Sequence, residues 1–221
     1  MNVLVIAAHM DDEVLGVGGT IAKHVVSSDR VSVCIVSQRA YEHRIHPKRV
    51  PEEQAAARRA SGILGYRHLQ FLALHDERLD GRLVDLLVPL EECLRRVRPA
   101  VVYTHHRGDS NQDHRAVFQA TVIACRAIAR PKVTRVLAYE VPSSTDQAPP
   151  FPEYAFQPNF YVDINAFLAR KLKAMSAYRR ELREFPHPRS LKGLEVLARK
   201  RGMEAGFRAA EAFMIVRDEW A

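Results

Sequence analysis

The chain has 221 residues, 47% hydrophobic and 27% charged, an ordinary composition for a soluble globular protein with one large core. Its 33 Lys and Arg against 26 Asp and Glu leave a formal charge of +7, which suits anionic ligands such as phosphates without identifying one. No stretch approaches about 18 apolar residues, the short apolar start lacks a basic flank, and no sustained aromatic–basic stripe is present; these features argue against membrane insertion, secretion and nucleic-acid binding, and the cytosol is the expected compartment.

In chain order, the run Val3-Leu4-Val5-Ile6-Ala7-Ala8 is apolar on both faces, as in a central parallel strand. Gly16, Gly18 and Gly19 suit a compact exit, after which Thr20 to Val26 reads as helix. Val31 to Val36 is a second strand, residues 38–50 read as a loop, and Pro51 opens a helix through about Leu64. A strand at 68–72, a polar turn at His75-Asp76-Glu77-Arg78, a helix from Leu83 to Val97 and a strand at 101–104 repeat the pattern. A loop over 105–110 leads to a helix started by Asn111 or Asp113, then to a strand over Val133 to Tyr139. Five prolines mark 142–160 as a long loop or partial cover, a type of segment that is often functional. A strand at 160–164, a helix from Asn165 to Glu184, a break at His187-Pro188-Arg189-Ser190, a helix from about Leu191 and a returning strand over Ala209 to Val216 complete the chain. This alternation predicts an α/β protein, a three-layer Rossmann-like fold with a mostly parallel central sheet. A single domain over 1–221 is expected, with 142–190 as a substrate-side loop and cover. Cys34, Cys93 and Cys125 lie far apart in apolar segments and read as buried thiols.

Two polar clusters follow predicted strands. His9-Met10-Asp11-Asp12-Glu13 places a histidine and acids where a buried strand ends, a costly arrangement unless something pairs with them. His9 and Asp12 can ligate a divalent cation, and Asp11, aimed differently, can take a proton from the attacking water. Glu13 can hold a helix terminus or a residue behind the ligands, and reads at least equally as a simple cap or surface charge. The second cluster runs from Thr104 to Arg115 and offers His114 as the best third ligand, with Asp113 orienting an imidazole or capping a helix. His105 and His106 can handle protons, or one of them can be structural. Zinc is the expected ion, with another divalent metal as the alternative. The Gly16-Val17-Gly18-Gly19 segment lacks the full spacing of a dinucleotide fingerprint.

The HMDDE and DSNQDHR segments together resemble the paired signatures of the LmbE-like, or PIG-L, de-N-acetylase family, with softer matches at Leu64-Gly65, the Asp76 turn, PHPRS and the C-terminal AEAF. Met10 stands where the family commonly has proline. The resemblance implies zinc-dependent hydrolysis of an N-acetyl group, usually on a sugar-containing substrate, with His9, Asp12 and His114 as metal ligands and Asp11 as base. It gives Asp76 a positioning role near the site. Where several members carry a further histidine three residues before the last ligand, this chain has Asn111, which can donate a hydrogen bond to an oxyanion but cannot titrate. The expectation is that Asp11 returns the proton to the departing amine, with His106 or His187 as substitutes.

Arg39, His43, Arg44, Arg49 and Arg107 are candidates to face a phosphate or nucleotide diphosphate, and Tyr178, His187 and Arg189 to line a sugar pocket. The expected substrate is an N-acetylated sugar conjugate, with an anionic one, such as a nucleotide-linked N-acetylsugar, favoured over a neutral sugar. Basicity alone does not separate a nucleotide sugar from a glycan intermediate or a glycosylated antibiotic; a homo-oligomer is plausible by resemblance. The alternatives are a noncatalytic sugar-phosphate-binding protein and an amidase acting on a nonsugar N-acyl compound.

Overall fold

A computed structural model describes residues 1–220. The sheet is built around β1 (Asn2–Ala7), whose side chains alternate between two cores. Val3, Val5 and Ala7 enter one apolar cluster, and Leu4, Ile6 and Ala8 enter the other. Period-two alternation with apolar residues on both faces is what a strand between two helix layers requires.

The other strands are β2 (Arg30–Gln38), the short hairpin β3 (Ala40–Tyr41) and β4 (Arg44–Ile45), β5 (His68–His75), β6 (Val101–His105), β7 (Arg135–Tyr139), β8 (Phe160–Asp163) and β9 (Ala210–Asp218). Six of these and β1 form one sheet in the order β5-β2-β1-β6-β7-β9-β8. The pairings from β5 to β7 are parallel, and those of β9 with β7 and β8 are antiparallel. Helices α1 (Asp12–Val26) and α2 (Val50–Leu64) pack on one face; α3 (Leu83–Val97) and α4 (Gln112–Ala124) pack on the other. The α5 helix (Leu168–Met175) joins the first layer through Ala174 and Met175, and α6 (Leu191–Ala205) packs beside β9. The three-layer α/β arrangement read from the sequence is thereby present, with an antiparallel edge on a parallel core.

Three local readings change. The 38–50 segment contains the β3–β4 hairpin. The helix expected over Asn165 to Glu184 is only a 3-10 turn followed by α5, with turns and loop after Met175. Gly16, Gly18 and Gly19 lie within α1, which begins at Asp12. Close packing explains two of these glycines. A Cβ on Gly16 would fall 2.3 Å from the Tyr139 ring, and one on Gly19 2.7 Å from Ile164. No described helix is long and apolar enough to cross a membrane.

From β1 the chain builds outward through β2 and β5, then crosses back to β6 and β7 on the other side. The C-terminal ends of β1 and β6 therefore border the crevice where strand order reverses, the place where open α/β sheets bind ligands. Both polar clusters sit there.

Candidate active site

His9 and Asp12 follow β1, and His114 lies in the first turn of α4. The loop after β6 and the start of that helix bring them together. His9 Nδ1 is 3.2 Å from His114 Nε2, and each of these nitrogens is 3.3 Å from Asp12 Oδ2. All three residues are buried.

Their outer atoms fix the tautomers. His9 turns Nε2 toward Asp76 Oδ1 at 2.8 Å, and His114 turns Nδ1 toward Asp109 Oδ2 at 3.2 Å. A ring nitrogen that donates to a carboxylate leaves the other as a lone pair. Two lone pairs thus face one another and a carboxylate oxygen whose backbone donor is the His9 N–H at 2.8 Å, an arrangement that a cation relieves. Their spacing fits one: tetrahedral bonds of about 2.0–2.1 Å place ligand atoms about 3.3–3.4 Å apart. The second oxygen of Asp12, Oδ1, is buried without a hydrogen-bond partner among the described residues.

A second set, His9, Asp76 and Asp113, is also close enough to hold an ion, but its carboxylates are already occupied. Asp76 accepts from Ala40 N and Glu77 N, and Asp113 from Glu77 N and Leu79 N. Backbone donors satisfy this set, which serves to orient His9. Of the two sets, His9, Asp12 and His114 is the one whose facing atoms leave room for an ion.

Asp11 contributes no atom to that cradle. Its backbone sits at φ 117, a conformation that costs a non-glycine residue about 1–3 kcal/mol and is found at sites where surrounding structure enforces it. Arg39 Nη2 lies 3.0 Å from its Oδ1 and Arg189 Nη1 3.4 Å from its Oδ2. Both arginines also reach Glu181. Burial pushes the Asp11 carboxyl up to about 6, with the two guanidiniums opposing the rise. Glu13, pushed by burial to about 7, accepts from Tyr178 Oη at 2.5 Å and from the Asp11 backbone N–H at 3.2 Å. It acts as a support under Asp11. Beside Arg39, between α2 and residues 177–181, opens a cavity of about 370 Å³ whose walls include Met10, Tyr41 and Tyr178.

The remaining candidates divide. Arg189 touches Asp11, and Asp76 touches His9, whereas Tyr178 is buried against Glu13. His187 accepts from the Arg189 backbone N–H. Arg49 stacks on the Tyr41 ring, Arg107 is exposed, and His43 pairs with Glu77 at the surface. His106 Nε2 is tied to the Tyr154 carbonyl at 2.9 Å. His105 accepts from Ala8 N and is held well below the ordinary histidine range by burial and by neighbouring His114; it is a structural imidazole. Asn111 caps α4, its Oδ1 accepting from Asp113 N, while its amide nitrogen makes no hydrogen bond among the described residues. The sequence reading missed Asp109 and Glu181. Asp109 opens the DSNQDHR segment and was within reach of a spacing argument; Glu181 lies 170 residues from Asp11 with nothing local to mark it.

The fold and this buried His–Asp–His cradle define a class of α/β protein with a candidate metal site at the strand ends. The family model "PIG-L: GlcNAc-PI de-N-acetylase" matches residues 4–125, and the chain belongs to that family. It is 30% identical over 148 residues to the uncharacterized deacetylase YaiS of Escherichia coli K12, covering 65% of this chain and 75% of that one. Among solved structures, N,N'-diacetylchitobiose deacetylase from Pyrococcus horikoshii aligns with a TM-score of 0.78 at 21% identity, over 97% of this chain and 83% of that one. GalB, the 4-carboxy-2-hydroxymuconate hydratase of Pseudomonas putida KT2440, aligns with a TM-score of 0.76 at 23% identity, over 100% and 98%.

Proposed function

We propose that the protein is a zinc-dependent hydrolase that removes the N-acetyl group from an amino-sugar conjugate, releasing acetate and a free amine. Family membership supports deacetylation. The observation that carries the reading is a free carboxylate, Asp11, next in sequence to a cradle of two tautomer-fixed histidines and Asp12. The two solved relatives, at these identities, share the fold alone, and one of them is a hydratase; the reaction therefore rests on the site and the family.

A divalent cation held by His9, Asp12 and His114 would supply Lewis acidity toward the amide carbonyl and make water a better nucleophile. Asp11 takes the proton of the attacking water, whose oxygen bonds to the acetyl carbon. The C–N bond then breaks, and the proton passes from Asp11 to the departing nitrogen, which leaves as the amine while acetate carries the new oxygen. Arg39 and Arg189 hold one Asp11 oxygen each and fix the plane of the carboxylate. The free Asn111 amide supplies a donor for the developing oxyanion. The cavity beside Arg39 receives the sugar conjugate, and residues 142–190 contribute cover through Ser143, Tyr178, Glu181 and Arg189.

Acetate release should be measured across UDP-N-acetylsugars, simple N-acetylsugars and acetylated pseudodisaccharides, with and without chelator. Chelator-sensitive release from one class is the expected result. Stoichiometric zinc binding without release from any N-acetyl compound would overturn the reading.

A further inference from the structure

We infer that the protein carries a second ligand site, for a small molecule bearing a phosphate or diphosphate group, at the end of the sheet opposite the metal cradle. A cavity of about 460 Å³ lies there, among the N-terminal ends of β1, β2 and β5 and the C-terminus of α3. Arg30, Arg67, Arg96, Arg98 and His68 line it, and no carboxylate does. None of these four exposed arginines forms an ion pair among the described residues, and Arg30 Nε donates to His68 Nε2 at 3.1 Å. Four guanidiniums with no carboxylate in the lining concentrate positive field in one cavity, so an anion is the complementary occupant. Arginine forks match phosphate oxygens in paired hydrogen bonds.

Two further features favour a built site over incidental surface charge. Arg98 sits at φ 50 as the residue ending α3, a left-handed position that glycine fills at less cost. Asn2 Nδ2 already donates to the Val97 and Arg98 carbonyls, so those two carbonyls do not call on the arginines for a hydrogen bond. Leu4, Val33 and Leu69 add apolar lining for the uncharged part of a ligand. The volume is in the range of small-molecule sites. Asn2 and His9 bracket β1, so the cavity lies about 20 Å from the cradle at about 3.3 Å per residue, too far for one small ligand to occupy both.

The test is isothermal titration of the intact, metal-loaded protein with inorganic pyrophosphate at fixed ionic strength. Saturable one-site binding is expected, weakened about tenfold or more in R67A/R96A. It should change less than about twofold in R199A, whose guanidinium is paired with Glu195 on α6, and in H114A. Absence of saturation in the millimolar range, or an equal loss in R199A, would overturn the proposal, the latter marking diffuse charge. Loss in H114A with retention in R67A/R96A would place the anion at the metal cradle and overturn it equally.

Discussion

Asp109 Oδ2 stands 3.2 Å from Nδ1 of His114 while accepting from Thr145 Oγ1 at 2.6 Å and Ser144 Oγ at 2.9 Å. One carboxylate thus sets a histidine tautomer and ties the start of α4 to the turn after β7. Asp76 does the same for His9 from the opposite side. Asp109→Asn and Asp76→Asn should each weaken metal affinity about 10–100-fold without removing a ligand. Competitive titration against a chromophoric chelator reads this directly, and unchanged affinity in both variants would refute the orienting role.

Asp11→Asn should keep the metal and lose about 10²–10⁴-fold in kcat. The amide retains the shape of the side chain and one acceptor oxygen, but it cannot accept the proton of water. Metal content by elemental analysis, measured beside turnover, separates the base from a ligand. Wild-type turnover in a folded, metal-loaded variant would remove Asp11 from the mechanism.

The sequence carries the layer order and the two halves of the cradle because each depends on local patterning. The apolar run of β1 has to end somewhere, and the charged residues at His9 to Glu13 mark that end; the DSNQDHR segment does so after β6. Long-range pairings leave no such mark. Arg39 reads as a phosphate ligand from composition, yet it is consumed by Asp11 and Glu181. The arginines around the opposite cavity, at 30, 67, 96 and 98, come from three separate stretches of sequence and meet only because the starts of β2 and β5 adjoin the end of α3. The glycines of α1 fail for a related reason: what makes them necessary is Tyr139 and Ile164, more than 120 residues away.

Metal loading should stabilise the fold, because the cradle without a cation leaves facing lone pairs and an unpartnered Asp12 Oδ1. At a free zinc concentration about a hundredfold above Kd, linkage gives about 2.7 kcal/mol, or a Tm rise of about 5–10 °C for a chain of this size. Chelator should reverse the shift. H114A should show little of it, and an equal rise in H114A would move the ion to another set of residues.

The pair Lys171 and Glu211 enters the middle of α1. Glu211 accepts from Gly19 N at 2.9 Å and Thr20 N at 2.7 Å, while Lys171 Nζ donates to the Leu15 carbonyl at 2.8 Å and to Glu211 at 2.7 Å. Both side chains are buried. Removing one partner leaves a charge out of water with nothing to balance it, which typically costs about 3–5 kcal/mol. Lys171→Met and Glu211→Gln should therefore each lower the urea midpoint strongly. The double variant should lose much less than the sum of the two, because no uncompensated charge remains. Additive losses in that cycle would show that the two groups act on α1 independently rather than as an ion pair. Since α1 begins at Asp12, the same variants report whether this inserted pair also holds the metal cradle in place: a coupled helix predicts weaker zinc binding in each single variant and recovery in the double.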